Sequence, residues 1–380
     1  MPNFSFSIHT KSKKSDARRG TITTPYGKIE TPAFVTVGTK GTVKSLDAQD
    51  LTRSNIQMIF VNTYHLVLSP GVDVIQKGGG IHNLTKIQVP IISDSGGFQV
   101  FSLAKSDRKN EESPKLVKIT HDGVLFRSHI DGKQHEFTPE YSIKAQSKIG
   151  ADFIVTFDEC VYYGATEKYT EKSMQRTHEW AQRSLRASRL KHQQKIFGVI
   201  QGGMYKKFRR ASAEFIASLS FWGLAIGGVS VGETKKEMRD VVKWSMEVLH
   251  KDKRPIHLLG VGYVDDIFDM IKMGVDTFDC VVPTRQARLG RLYVQKFENG
   301  KMKFENYNMI DIYKTIFKRD LKPIDERCEC YTCKNFSKAY LHHLFKQREL
   351  LAYRLATIHN LYFIEKLFER IRRNIELGNF

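Results

Sequence analysis

The sequence predicts an α/β chain: a (β/α)8 barrel of the TIM type, with an antiparallel hairpin inserted at its top and a small zinc-binding subdomain towards the C-terminus. Three observations predict it. Eight short apolar runs alternate with amphipathic helical stretches before residue 290. Polar residues able to do chemistry gather at the C-terminal ends of those runs, which is where barrels of this kind carry their sites. Three of the five cysteines then fall within six residues, after the alternation has ended.

The runs are AFVTVG (33–38), IFVNTYH (59–65), IISDSG (91–96), FIVTFDE (153–159), IFGVIQGG (196–203), GLAIGG (223–228), IHLLGVG (256–262) and TFDCVVP (277–283). Most are apolar on both alternations, as in a parallel sheet covered on both faces. Helical stretches fall at 139–149, 166–190, 205–219, 233–249 and 263–273. Thr138 before Pro139, and Thr166 before Glu167, mark helix starts, because a hydroxyl can accept a first-turn N–H and proline loses nothing there. An open doubly wound sheet shares the alternation, but the Gly-rich dinucleotide fingerprint after the first strand is missing.

After the third run, residues 98–138 hold no clear helix. KLVKITHDG and VLFRSHIDGKQHEF alternate in period two around the turn-like Asp122-Gly123 and Asp131-Gly132, which predicts the inserted hairpin. The stretch SDRKNEESPK (106–115) is charged and polar and reads as a mobile insert. Beyond residue 301 comes the cysteine cluster, then one long helical pattern from Lys338 towards Ile371. The expected division is a catalytic barrel over 1–300 and, over 301–380, a zinc-binding subdomain whose C-terminal helices pack on the barrel.

Composition narrows the function. Lys plus Arg number 60 against 41 Asp plus Glu, a net charge of +19, which favours a polyanionic partner. The basic residues are spread along the chain rather than massed beside an apolar span, so nucleic acid is the better expectation than a membrane surface. No apolar run reaches the roughly 18 residues of a transmembrane helix. The N-terminus MPNFSFSIHTKSKK lacks a secretory apolar stretch. A cytoplasmic location follows as the expectation.

Four constellations carry chemistry. Cys328-x-Cys330-x-x-Cys333, followed by His342, His343 and His359, offers borderline-soft ligands for a tetrahedral, structural Zn²⁺; spacing does not select the histidine. In Ser93-Asp94-Ser95-Gly96-Gly97-Phe98-Gln99 a strand-end carboxylate precedes two glycines that would let backbone approach a ligand, or simply form a tight turn. In Phe278-Asp279-Cys280-Val281-Val282-Pro283-Thr284-Arg285 another strand-end carboxylate stands beside a loop with Arg285, Arg288 and Arg291. Asp279 there could be nucleophile, base or salt-bridge partner, and the arginines could meet phosphates or solvent. Last, Asp158-Glu159-Cys160, Gln201-Gly202-Gly203 and Gly227-Gly228 combine carboxylate, amide and exposed backbone, which together can serve a purine edge.

At these residues the sequence resembles the bacterial tRNA-guanine transglycosylase (queuine tRNA-ribosyltransferase) family. The likeness covers NTYHL (62–66), SDSGGFQ (93–99), FRSHIDG (126–132), DEC (158–160), QGG (201–203), GG-x-x-VGE (227–233), LLGVG (258–262), FDCVVPTR (278–285) and the cysteine cluster with His359. It implies that Asp279 is the nucleophile on C1′ of the wobble ribose and Asp94 the general acid/base. It implies that Asp158, Cys160, Gln201 and Gly228 surround the base, that Phe98 and Leu259 sandwich it, and that Thr284, Arg285 and Arg288 face the anticodon loop. Cys328, Cys330, Cys333 and His359 would hold the zinc. The reaction implied is exchange of guanine for 7-aminomethyl-7-deazaguanine on a queuosine-type tRNA, through a covalent ribosyl–aspartate, by a cytoplasmic homodimer with no membrane association. Phe98 stands where some members have Tyr, Leu259 where Met is common, and VYYGATE (161–167) where a Pro-rich turn is frequent. The eukaryotic counterpart, which takes the bulkier queuine, has Gly where this chain has Val231. A non-catalytic RNA-binding subunit on the same scaffold could lose its carboxylates, whereas Asp94 and Asp279 are both present here, and a barrel hydrolase would place its metal ligands at strand ends.

Overall fold

The computed structural model describes residues 4–99, 117–128, 132–188, 194–298 and 301–380. The chain opens with a three-stranded antiparallel sheet, β1 (Ser5–Lys11), β2 (Arg18–Thr24) and β3 (Gly27–Thr31). This sheet went unread in the sequence. It covers the N-terminal end of the barrel: Ile22 and Ile29 join Ala33, Val35, Phe153 and Phe197 in one cluster, and Phe4 lies edge-on to Phe153 with ring centroids 5.6 Å apart.

The barrel itself is closed and parallel. Its strands are β4 (Ala33–Val37), β5 (Ile59–Val61) and β6 (Ile91–Ser93), then, after an insertion, β10 (Phe153–Val155), β11 (Lys195–Ile200), β12 (Gly223–Ile226), β13 (Ile256–Leu258) and β14 (Thr277–Cys280). β14 pairs back onto β4, with Asp279 opposite Val35. All eight expected runs are therefore barrel strands, but most stop short of their expected ends. IFVNTYH leaves the ladder after Val61 because the Asn62 side chain accepts from the His65 N–H and starts a helix, Thr63–Leu68. The residues past each strand end line the mouth instead.

The insertion is the antiparallel sheet β7 (Val117–Ile119), β8 (Val124–Arg127) and β9 (Gln134–Phe137), one strand more than a hairpin. Its turn at Asp122-Gly123 needs the glycine, since a Cβ on Gly123 would lie 2.2 Å from the Phe137 carbonyl oxygen. Val124, Phe126 and Phe137 pack on Tyr64, Phe157 and Trp180, which seats the sheet at the barrel top. Residues 97–99 are helical, where no helix was expected: the SDSGGF turn leads into a helix rather than directly into the hairpin. The charged stretch 106–115 and the expected turn at residue 131 lie outside the described residues.

Helices Pro139–Ile149, Glu167–Ser188, Lys206–Ser218, Lys235–Leu249 and Val264–Lys272 surround the barrel as expected. Thr138 accepts from the Tyr141 N–H and Thr166 from the Tyr169 N–H. After β14 a short helix, Val282–Arg288, leads to the antiparallel pair β15 (Arg291–Glu298) and β16 (Lys301–Asp311). The expected continuous helix from Lys338 is two helices, Lys338–Gln347 and Leu350–Glu376. Arg348 takes a left-handed conformation, φ 57°, and its N–H closes on the Leu344 and Phe345 carbonyls. The bend lets Leu341, Leu344 and Phe345 share a core with Ala352, Leu355 and Ala356. Further along, Phe368 sits 6.1 Å from Phe34 of β4 and 5.9 Å from Phe278 of β14, so the last helix completes the outer ring over the closing strands. Among the described residues no helix is long and apolar enough to cross a membrane.

Candidate active site

Strand ends bring the singled-out carboxylates to one mouth. Asp94 follows β6. Its Oδ1 accepts the Thr63 N–H at 2.7 Å and the Gly96 N–H at 3.1 Å, and its Oδ2 accepts from Asn62 Nδ2. Burial pushes its carboxyl up to about 7; the Thr63 and Gly96 N–H bonds oppose this, and the charges of Asp279 and Asp158 add to it. A group held there can exist in both protonation states at neutral pH, which suits a general acid that later acts as base.

Asp279 lies on β14, its side chain 12% exposed. Its Oδ1 accepts from the Gly260 N–H at 3.1 Å and lies 3.1 Å from His257 Nε2. Among the described residues its Oδ2 has no hydrogen-bond donor. The two oxygens are thus unequal: one is anchored and the other is left to face the mouth.

Asp158 is buried after β10. Its Oδ2 accepts from Gln201 Nε2 at 2.7 Å and its Oδ1 from Ser95 Oγ at 3.3 Å. Burial pushes it up to about 6 against those two bonds. Gln201 uses one N–H on Asp158 and has another to give; among the described residues its Oε1 is buried without a partner. The glycine after Gly96 is required by space, because a Cβ on Gly97 would stand 2.7 Å from the Asp158 carbonyl oxygen. Glu159, next in sequence, faces the other way. It is buried against Tyr169 Oη, at 2.6 Å, and Arg176, so it braces the loop. Cys160 is half-buried, and burial pushes its thiol up to about 12.

The glycine floor rests on a residue the sequence reading missed. Arg209 is fully buried and donates to the carbonyls of Gly203 at 2.7 Å, Gly227 at 2.7 Å and Gly228 at 2.9 Å. Burial pulls its guanidinium down to about 10. With three carbonyls turned inward to Arg209, the loop is held in one conformation. Beyond it, Glu233 accepts the N–H groups of Ser230 and Val231, the latter at 2.9 Å. Val231 lines a cavity of about 270 Å³ with Val161, Tyr162, Gly203 and Met204.

Phe98 is 51% exposed at the mouth and Leu259 is half-buried above β13. Thr284 is buried, its hydroxyl donating to the Val281 carbonyl at 3.1 Å. Arg285 and Arg291 are exposed, and Arg288 donates to the Thr284 carbonyl at 2.9 Å. Burial and then the charge of Arg285 lower the Arg288 guanidinium, so two cations stand close together beside the Asp279 strand.

The cysteine cluster lies outside the barrel strands. Ligand atoms of Cys328, Cys330, Cys333 and His359 all fall within 4.8 Å of one another. His359 Nδ1 is 3.8, 3.5 and 3.3 Å from the three sulfurs. Edges of a tetrahedron with metal–sulfur bonds of about 2.3 Å and metal–nitrogen bonds of about 2.0 Å come to about 3.5 Å, so the residues fit the ion. His359 Nε2 meets the Tyr293 carbonyl at 2.7 Å, which places the proton on Nε2 and the lone pair on Nδ1, towards the thiols. The histidine left open by spacing is therefore His359. His342 is turned to the Ile312 carbonyl at 2.8 Å and His343 is exposed.

A family model described as queuine tRNA-ribosyltransferase matches residues 12–380. The chain belongs to that family. It is accordingly an enzyme of the pentosyl-transferring class. Similar proteins, each named queuine tRNA-ribosyltransferase, include one from Thermoanaerobacter pseudethanolicus, 46% identical over 375 residues, covering 99% of this chain and 94% of the relative. Another, from Aquifex aeolicus, is 44% identical over 379 residues, covering 99% and 96%.

Proposed function

We propose that this chain is a tRNA-guanine transglycosylase that replaces guanine at the anticodon wobble position with 7-aminomethyl-7-deazaguanine, by double displacement through a ribosyl–Asp279 ester. The observation that carries the reading is the pairing of unlike carboxylates at one mouth: Asp279, with one oxygen anchored and one without a donor among the described residues, and Asp94, raised to about 7 by burial. Such pairs are how retaining glycosyl transfer divides nucleophile from acid/base.

In this reading the target nucleotide leaves the base stack to enter the mouth. Phe98 and Leu259 sandwich its base, with Cys160 beside it. Asp158 accepts the purine N–H and amino edge, while the second Gln201 N–H and the Gly228 N–H donate to the carbonyl. Asp279 attacks C1′ while protonated Asp94 gives its proton to the departing guanine. The incoming base then loses its proton to Asp94 and attacks the same carbon, so two inversions give retention. Thr284, Arg285 and Arg288 form the flank along the anticodon loop, with Thr284 shaping the helix that presents the two arginines. Val231 limits the substituent on C7. Cys328, Cys330, Cys333 and His359 would hold a zinc ion, which would supply structure to residues 301–380 as a subdomain against the catalytic barrel of 1–300. The working form is a cytoplasmic homodimer with one tRNA bound across the pair.

The test is incubation of protein, tRNA and labelled guanine. Label should enter the tRNA, and a denaturing gel should show a protein–RNA adduct that Asp279→Ala abolishes without loss of fold. A normal adduct in that variant refutes the nucleophile assignment.

A further inference from the structure

We propose that His257 is a positioning residue that sets how readily Asp279 gives the ribose back. The proposal rests on the nucleophile reading above. His257 lies on β13, 1% exposed, directly opposite Thr277 in the register of β13 with β14. Thr277 and Asp279, two residues apart, share the inward face of β14, and the imidazole bridges them. Its Nδ1 is 2.9 Å from Thr277 Oγ1 and its Nε2 is 3.1 Å from Asp279 Oδ1. The ring of Phe60 stacks on it at 6.0 Å and that of Phe197 meets it edge-on at 6.4 Å, so it cannot swing away.

The hydrogen-bond roles follow from the partners. An ionised carboxylate only accepts, so Nε2 carries the proton; in the neutral ring Nδ1 then accepts from the Thr277 hydroxyl. Oδ1 therefore receives two donors, His257 Nε2 and Gly260 N–H, and Oδ2 is the oxygen that attacks. In the first displacement the Oδ2 lone pair forms the bond to C1′. The pair of the glycosidic C–N bond leaves with guanine, which takes the Asp94 proton. Asp279 is then a neutral ester and its Oδ1 an ester carbonyl, a weaker acceptor. In the second displacement the incoming base attacks C1′, its proton passes to Asp94, and the C1′–Oδ2 pair returns to Asp279. Negative charge reappears on the carboxylate, where His257 donates to it. A donor that binds carboxylate better than ester favours the released state. His257 thus holds the adduct from becoming a resting place.

Removing the donor should stabilise the adduct relative to free enzyme. Hydrogen bonds to charged groups are of a size that makes this roughly 10- to 100-fold. The experiment forms the adduct with tRNA, then titrates guanine and reads the surviving adduct on denaturing gels. His257→Phe keeps an aromatic ring between Phe60 and Phe197 but has no N–H. It should still form adduct, and should need roughly 10- to 100-fold more guanine to release half of it. His257→Gln, whose amide nitrogen reaches where Nε2 lies, should return close to the parent value. Thr277→Val, which frees the tautomer, should move the same way by less, and serves if the Phe variant does not fold. Half-release at the parent guanine concentration or below it, in His257→Phe and in Thr277→Val, overturns the proposal, because mere loosening of the site weakens the adduct. Failure of the nucleophile reading shows differently: Asp279→Asn would retain adduct, or the parent would form none, and this proposal would fall with it.

Discussion

Asp94 offers a test of the site that needs no substrate. Its carboxyl is raised from an ordinary aspartate value of 3.8 to about 7, chiefly by burial. The folded chain therefore holds this proton more tightly than the unfolded chain. The associated stability is fully present below pH 3.8 and is lost as pH rises through about 7. At 1.36 kcal/mol for each tenfold change, the raised pKa of Asp94 costs the fold about 2 kcal/mol at pH 5, where the buried group is still protonated, and about 4 kcal/mol at pH 8, where it is ionised. Asp94→Asn removes that cost, but its amide nitrogen would face the Asn62 amide, which now donates to Asp94 Oδ2. Turning Asn62 over to offer oxygen would give up the cap on the His65 N–H. Either way about 1–3 kcal/mol is lost. The variant should thus be near parity with the parent at pH 5 and more stable at pH 8, the gap growing by about 2–3 kcal/mol between them. Denaturant melts of both proteins at the two pH values measure it. A gap that stays constant with pH, or that narrows as pH rises, refutes the account of Asp94 as a buried acid with a raised pKa. Base exchange by the variant should be abolished at both.

Three further outcomes follow. Adduct formation without added base should fall as pH rises through about 7, when Asp94 gives up the proton that guanine needs, and base capture should fall below about 6, when Asp158 takes one up; a profile of kcat/KM flat from pH 5 to pH 8 contradicts both roles. Zinc should be present at about one per chain, and Cys330→Ser should lower the melting temperature before it lowers activity in the protein that stays folded; elemental analysis without zinc removes this reading. Val231→Gly should open the base site towards the cavity of about 270 Å³ beside it and admit queuine while barely changing use of the aminomethyl precursor, so equal use of both bases by the parent protein in a competition assay refutes the small-pocket argument.

The barrel was legible because a buried parallel strand and a helix between strands each leave a local mark: AFVTVG and GLAIGG carry almost no polar side chain, and the 235–249 segment turns one apolar face inward. What escaped was set by contacts far apart in sequence. The β1–β3 sheet carries a period-two pattern, Phe4, Phe6, Ile8, but its polar and basic residues gave no sign that it plugs the barrel end. The bend at Arg348 has neither glycine nor proline, and it exists because Leu344 and Leu355 must meet in one core. Strand ends were overextended where, as at Asn62, the residue follows the apolar run directly in sequence while its side chain accepts the His65 N–H and turns the chain into a helix.

The candidate site divides along the same line. Asp94, Asp158, Gln201 and Asp279 could be singled out because each ends a run, and a polar residue at the end of a barrel strand has only the mouth to face. His257 and Arg209 could not, since one lies inside an apolar strand and the other on a basic helix face that reads as solvated. Yet these two fix the orientations on which the mouth depends: Arg209 turns three glycine carbonyls away from the base floor, and His257 leaves Asp279 a single oxygen for attack. Both are donors aimed at acceptors contributed by neighbouring strand ends, so their roles exist only once the strands are side by side. The groups that would touch a substrate are marked by their positions in the sequence, while the residues that decide which lone pair or N–H those groups present come from the register of β11, β12, β13 and β14. That register explains why the His257 experiment reads adduct partition, a property of an orientation, and the Asp279 experiment reads adduct existence, a property of a residue.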